Sequence, residues 1–206
     1  IGGTGALGFG LALRWAQAGC DVIIGSRRAE SAQEARDTLV ELLPQKGAAV
    51  EAMGNADAVA AADIVVLAVP FAQQAAALDA IAPALSGKIL VDTTVPLVPP
   101  KVGTVQLPPQ GCSALVVRER LGDVVRIVSA FQNVAADKLR SLEPLDCDVL
   151  VCSDDGEARE LVVELAERAG LRGFHAGPLA NAAAAEALTS ILITINRQFK
   201  CHAGIR

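Results

Sequence analysis

The chain has 206 residues, enough for one large domain or for a nucleotide-binding domain with a small appendage. Hydrophobic residues make up 52% of it but aromatic ones only 3%, so the interior has to be built from Ala, Val, Leu and Ile, the usual filling of a parallel sheet covered by helices. A formal charge of -5 without any basic stripe argues against a nucleic-acid surface, and, despite a mean hydropathy of +0.41, no 18 consecutive residues are apolar, so no membrane span is expected.

Strand and helix alternate from the start. Ile1 reads as the last residue of a first strand that is otherwise truncated, with a glycine-rich turn directly after it. Leu7, Leu11, Ala12, Trp15 and Ala16 then recur at helical spacing over 6–18, and Gly19 stops the helix. The β-branched run Asp21-Val22-Ile23-Ile24-Gly25 predicts a strand, and a charged helix follows to about Leu43, before Pro44 and Gly47. A weak strand over 48–52, a short helix over 56–61, a strong strand over 63–69 and a helix over 71–82 continue the pattern. Lys88 to Asp92 is a further buried strand. Thr93 to Gln110 holds five prolines, which bar a regular element.

A helix over 113–121, a strand over 125–130, a short helix over 135–142 and a strand over 148–152 come next. Leu161, Val162, Leu165 and Ala166 mark the inner face of a helix ended by Gly170. The last helix, 182–199, aligns Leu188, Ile191, Leu192, Ile195 and Phe199 on an apolar stripe, which is either core or the seam of a homodimer. These elements predict an α/β fold of the Rossmann type: a doubly wound, mostly parallel sheet over residues 1–140, with a smaller C-terminal α/β part over 141–206.

Gly3-Thr4-Gly5-Ala6-Leu7-Gly8 matches G-x-G-x-x-G at the opening of a helix, where free N–H groups and the positive end of the helix dipole attract a pyrophosphate. A carboxylate about 20 residues on would hold an NAD ribose; Ser26 and Arg27 stand there instead, and a hydroxyl beside a guanidinium suits a 2′-phosphate. NADP is therefore the expected cofactor. Val69-Pro70-Phe71, Asp92-Thr93-Thr94 and Ser129-Ala130-Phe131 lie at strand ends that face the ligand crevice, and Gln73 is in reach of ribose or phosphate.

No residues for general acid-base chemistry stand out. His175 and His202 are isolated, and Asp154-Asp155 is better explained as a helix cap than as a metal turn, so no metal is expected. Cys20, Cys112, Cys147, Cys152 and Cys201 lack metal-ligand spacing and read as reduced, mostly buried thiols of a cytoplasmic protein. Hydride transfer between two bound rings needs apposition more than acid or base.

The chain resembles the NADPH-dependent reductases of the deazaflavin coenzyme F-420 (F420). The strongest pieces are Ile1 to Gly8, Ile24-Gly25-Ser26-Arg27-Arg28, Gly177-Pro178-Leu179-Ala180-Asn181, and Leu188-Thr189 with Ile195-Asn196 in the closing helix. The resemblance implies NADP in the groove and F420 as co-substrate, stacked on the nicotinamide for direct hydride exchange. It implies that Thr4, Gly5, Ala6 and Leu7 hold the pyrophosphate, Ser26 and Arg27 the 2′-phosphate, and that Val69, Gln73, Val95 and Ala136 lie near the nicotinamide half. Some relatives carry His in place of Gln73 and a basic residue near Ser31. Competing readings are another NADPH reductase, acting on imines, flavins or metal chelates, and a module that senses NADP without turnover.

Overall fold

The computed structural model describes residues 1–43, 48–141 and 143–206. Its helices are α1 (Ala6–Gln17), α2 (Ala29–Leu42), α3 (Asn55–Ala61), α4 (Phe71–Ile81), α5 (Ser113–Leu121), α6 (Ala136–Leu139), α7 (Gly156–Arg168) and α8 (Ala182–Phe199). Its strands are β1 (Val22–Ser26), β2 (Val50–Gly54), β3 (Ile64–Leu67), β4 (Ile89–Asp92), β5 (Arg126–Ser129), β6 (Asp148–Val151) and β7 (Arg172–His175). The break expected at Pro44 and Gly47, and the helix end expected at Leu142, lie outside the described residues.

The predicted elements are present, with three differences of physical interest. The strand expected over 63–69 stops at Leu67, because the Ala68 N–H leaves the ladder and donates to Ile1 O at 2.9 Å. The helix expected over 135–142 forms only Ala136–Leu139. Strand β7 was not expected: Arg172-Gly173-Phe174-His175 is largely exposed and lacks apolar alternation, so its pairing with β6 is a tertiary outcome.

Strands β1 and β2 pair in parallel, as do β3, β4 and β5 in that spatial order, and β6 and β7. Reciprocal N–H to carbonyl bonds between Ser129 and Cys152, at 2.8 and 3.0 Å, join β5 to β6 in antiparallel sense. Between β1 and β3 runs a slot of about 500 Å³, lined among others by Val22, Ile24, Ile64 and Val66. Ile1 sits in that slot as a strand residue. Its backbone nitrogen donates to Val66 O at 2.7 Å, and Gly3 N–H reaches Gly25 O on the other side at 3.3 Å.

Alternation along the central strands builds two apolar layers. Ile89, Val91 and Val128 pack with Leu11, Trp15, Val149, Val151 and Val162 on one face. Leu90, Ile127, Val65 and Leu67 pack with Leu78, Ile81 and Val117 on the other. Trp15 and Phe131 meet edge to face, with ring centroids 5.9 Å apart. Arg14, itself buried, donates to the carbonyls of Leu139 at 2.9 Å and Glu143 at 2.6 Å, and to Lys138 and Ala169 at 3.4 Å. A single guanidinium thus satisfies the carbonyl ends of α6 and α7 and holds both against α1.

Helix α8 buries a different face from the one its stripe suggests. Ala182, Ala185, Glu186, Ser190 and Leu192 point inward, whereas Ile191 and Phe199 are 50% and 65% exposed. Small residues allow close approach of the helix backbone, so they face the domain and the larger side chains remain outside. By length and composition, Leu179–Phe199 would also pass as a membrane-crossing helix, but it carries the buried carboxylate of Glu186 bonded into the domain. Of the cysteines only Cys112 and Cys152 are fully buried; Cys20 and Cys147 are half-buried and Cys201 is exposed, fewer inside than composition suggested.

Candidate functional site

Parallel pairing brings the carboxyl ends of β1, β3, β4 and β5 to one edge, and the glycine turn lies where strand order reverses. Gly2 has φ +78°, and a Cβ there would fall 2.4 Å from Ala68 O. A Cβ on Gly8 would fall 2.6 Å from Gly2 O. Only hydrogen fits at either point, so the turn is pressed against the end of β3 and the start of α1 is pressed against the turn. Gly5 N–H closes the turn on Gly2 O at 2.9 Å.

The first rung of α1 is Phe9 N–H to Gly5 O at 2.9 Å, and no side chain caps the helix. The N–H groups of Ala6, Leu7 and Gly8 precede that rung. Thr4, Gly5 and Ala6 are exposed. Uncapped donors at an exposed helix start, in a turn that leaves no room for a Cβ at Gly2 or Gly8, fit a pyrophosphate.

The Gly3 to Gly25 hydrogen bond sets the end of β1, and with it Ser26 and Arg27, beside the turn. Arg27 is exposed and makes no hydrogen bond or ion pair among the described residues. Arg28 donates through Nε and Nη2 to Ser31 Oγ at 3.1 and 2.8 Å. Two guanidiniums and two hydroxyls therefore gather where a 2′-phosphate would lie, although Ser31 supplies no positive charge of its own.

The other expected contacts also lie at this edge. Val69 follows β3 and is half-buried; Gln73 is exposed on the first turn of α4; Val95 is half-buried two residues beyond Thr93; Ala136 opens α6 against α1. The Gly177 to Asn181 segment forms the entry to α8; Asn181 stands at the helix start without capping it, its Nδ2 donating instead to Ala176 O at 2.7 Å.

Behind the edge lies a polar cluster that sequence reasoning did not assemble. Asp92, with no solvent exposure, accepts from Thr94 N at 3.1 Å, Thr94 Oγ1 at 2.7 Å and Ser113 Oγ at 3.0 Å. Gln74 Nε2 lies 2.6 Å from both Thr94 Oγ1 and Ser113 Oγ and 3.2 Å from Asp92 Oδ2. Glu186 on α8 accepts the Ser113 and Ala114 N–H groups at 2.7 and 3.3 Å, capping α5 from a distant element. Phe131, at φ +71°, turns the chain after β5 so that Gln132 Nε2 donates to Asp92 O and Ser129 Oγ. Asn133 Nδ2 then reaches Ala185 O and Thr189 Oγ1 on α8. The signal in the sequence was a lone charge in an apolar setting: Asp92 ends Ile89-Leu90-Val91, and Glu186 is the one charge between Ala182 and Ile195.

Asp154 and Asp155 act through backbone donors. Asp155 Oδ1 accepts Ala158 N–H at 2.9 Å as the cap of α7, and Asp154 accepts Leu179 N–H at 3.0 Å. His175 meets Glu160, and His202 meets Asp137, both at the surface.

A Rossmann-type sheet whose uncapped glycine turn adjoins a Ser-Arg pair defines the nucleotide-binding architecture of NADP-linked oxidoreductases. Comparison with known proteins makes this specific. Residues 1–96 match the family described as NADP oxidoreductase coenzyme F420-dependent. The F420-dependent NADP reductase of Methanothermobacter thermautotrophicus is 41% identical over 213 residues, covering 100% of this chain and 92% of the relative. That of Methanocaldococcus jannaschii is 39% identical over 214 residues, covering 100% and 95%. Among solved structures, a putative F420-dependent NADP-reductase from Arthrobacter superposes with a TM-score of 0.78 at 26% identity, covering 97% of this chain and 93% of that one. A reductive aminase from Aspergillus terreus, at 19% identity and a TM-score of 0.67, covers 95% of this chain and 60% of that one, and shares the fold alone. The chain belongs to the family of F420-dependent NADP reductases.

Burial raises the Glu186 pKa to about 8 against the pull of the Ser113 and Ala114 N–H groups, with the nearby Asp92 charge adding to the rise; burial likewise raises Asp92 to about 6. A carboxyl that holds its proton longer when folded contributes stability at low pH that is lost as pH rises from the unfolded to the folded pKa. Thermal unfolding followed by circular dichroism is expected to show Tm falling from pH 5 to pH 8. In Glu186→Gln the decline should flatten above pH 6; an unchanged slope would show that Glu186 titrates normally.

Proposed function

We propose that the protein transfers a hydride between NADP(H) and F420. The observation that carries this reading is the full-length likeness to F420-dependent NADP reductases, on a chain whose glycine turn and Ser26-Arg27 pair both suit NADP. NADP supplies the hydride-carrying nicotinamide when bound. The chain's own contribution is orientation. The N–H groups around Thr4, Gly5, Ala6 and Leu7 hold the pyrophosphate; Ser26 and Arg27 hold the 2′-phosphate; Val69, Gln73, Val95 and Ala136 line the nicotinamide half.

Residues 1–140 form the NADP side, and the C-terminal part over 141–206 borders the F420 side. The exposed Ile191 and Phe199 of α8 are covered by a second copy of the chain, which gives a cytoplasmic homodimer. No acid or base is required at the reacting carbon. Two stacked rings held at contact distance suffice for the transfer, and the apolar residues at the strand ends keep water out.

The direct test is to mix purified full-length protein with NADPH and oxidised F420, then with FMN, and follow each chromophore. Loss of the F420 absorbance with matching oxidation of NADPH is expected, and light scattering of the same sample should give twice the chain mass. NADPH binding without oxidation by F420 would overturn the reading. For the cofactor, Arg27→Ala is expected to weaken NADPH binding by about tenfold or more while leaving NADH binding almost unchanged, since a charge-assisted pair to phosphate contributes roughly 1.5–3 kcal/mol. Isothermal titration with both nucleotides decides it, and equal losses would count against the assignment.

A further inference from the structure

The buried cluster around Asp92 is built from residues other than the predicted ligand positions, yet two of its arms end one residue away from one of them and a third ends two residues away. Gln74 is inward beside the outward Gln73 on the first turn of α4. Thr94 precedes Val95 in the chain. Thr93 Oγ1, next to Asp92, donates to Leu67 O at 3.0 Å and so ties β4 to the end of β3, two residues before Val69. The Asp92 carbonyl holds Gln132, and Asn133 joins α8 to the same region. One carboxylate therefore connects α4, the loop after β4 and the start of α5, while its own backbone oxygen fixes the turn after β5.

We infer that Asp92 is a positioning residue for hydride transfer: through Gln74, Thr94 and Ser113, its carboxylate sets the placement of the wall that carries Val69, Gln73 and Val95, and hence the alignment of the nicotinamide. This rests on the proposed reading of the edge as the NADP site. The phosphate contacts lie on α1, β1 and α2, which the cluster does not touch, so alignment and affinity are separable. Loss of the carboxylate charge leaves the donors of Thr94, Ser113 and Gln74 competing for a weaker acceptor, and the wall they fix shifts. An error of about 1 Å in the reacting geometry slows a transfer that depends on apposition by as much as roughly a hundredfold.

Asp92 titrates in a defined setting. Glu186 on α8 and Cys112 beside the start of α5 are the titratable groups facing the cluster; Gln74 of α4, Thr94 of the loop and Ser129 of β5 bring no charge. Protonation of Asp92 at acid pH should mimic its replacement by Asn.

The test uses full-length protein, wild type and Asp92→Asn, in three measurements. These are NADPH affinity by titration, the emission of bound NADPH, and the pH profile of single-turnover hydride transfer to F420. For Asp92→Asn we expect affinity within about twofold of wild type, altered emission of the bound nicotinamide, and transfer slowed by roughly ten- to a hundredfold. The slowing of the wild type at acid pH should be absent in the variant. Thr94→Val, which removes one link and keeps the charge, should show a smaller loss in the same direction and serves if Asp92→Asn fails to fold. Should the wild type bind NADPH but pass no hydride to F420, the proposed function fails, and the emission of bound NADPH still decides the role of Asp92. Unaltered emission and rate, or affinity and rate falling together with the pH profile unchanged, would overturn the inference.

Discussion

Parallel strand pairing imposes the constraint on which the rest depends. When β1, β3, β4 and β5 run the same way, their carboxyl ends share one edge, and the segments that follow them must turn over that edge. The glycine turn occupies the reversal point because it can be pressed to within a hydrogen atom's width of Ala68 O. Every residue proposed to meet NADP lies on this edge. None is placed there by its own chemistry; strand direction puts it there.

Such an edge creates an electrostatic problem that the buried cluster resolves. Backbone and side-chain acceptors converge behind the strand ends, and two carboxylates, Asp92 and Glu186, are taken out of water among them. Their desolvation is offset by donors from three segments: α4, the loop after β4 and the start of α5. The same network that satisfies the charges binds those segments into one unit. Arg14 plays the opposite part on the other face, where a buried cation meets carbonyl ends of helices. Buried carboxyl groups thus tie the segments behind the strand ends together, and a buried cation ties α1 to α6 and α7.

Family membership and site geometry address different questions. Full-length identity of about two residues in five to F420-dependent NADP reductases carries the identity of the reaction. Geometry carries the proposed assignment of work within the chain: the uncapped helix start suits a pyrophosphate, and Ser26 with Arg27 suits a 2′-phosphate. The likeness to a reductive aminase at 19% identity shows the shared fold and nothing of the acceptor.

Local pattern in the sequence was sufficient for the order of strands and helices, for the glycine turn and for the Ser26-Arg27 pair, because each rests on residues close together in the chain: periodicity, turn residues and the spacing from loop to second strand. Strand β7 was not legible, since an exposed edge strand has no apolar alternation and exists through its pairing with β6. The inward face of α8 was left open by the sequence, whose apolar stripe read as either core or dimer seam; packing turned the small residues, Glu186 and Leu192 inward and left Ile191 and Phe199 exposed. The Asp92 cluster joins residues 74, 92, 94, 113 and 186, spread over more than a hundred positions, and only the folded chain brings their donors and acceptors together. Short-range order is written in the sequence because its causes are local; the satisfaction of buried charge is decided by tertiary structure, because hydrogen bonds act over 3 Å of space whatever the distance along the chain.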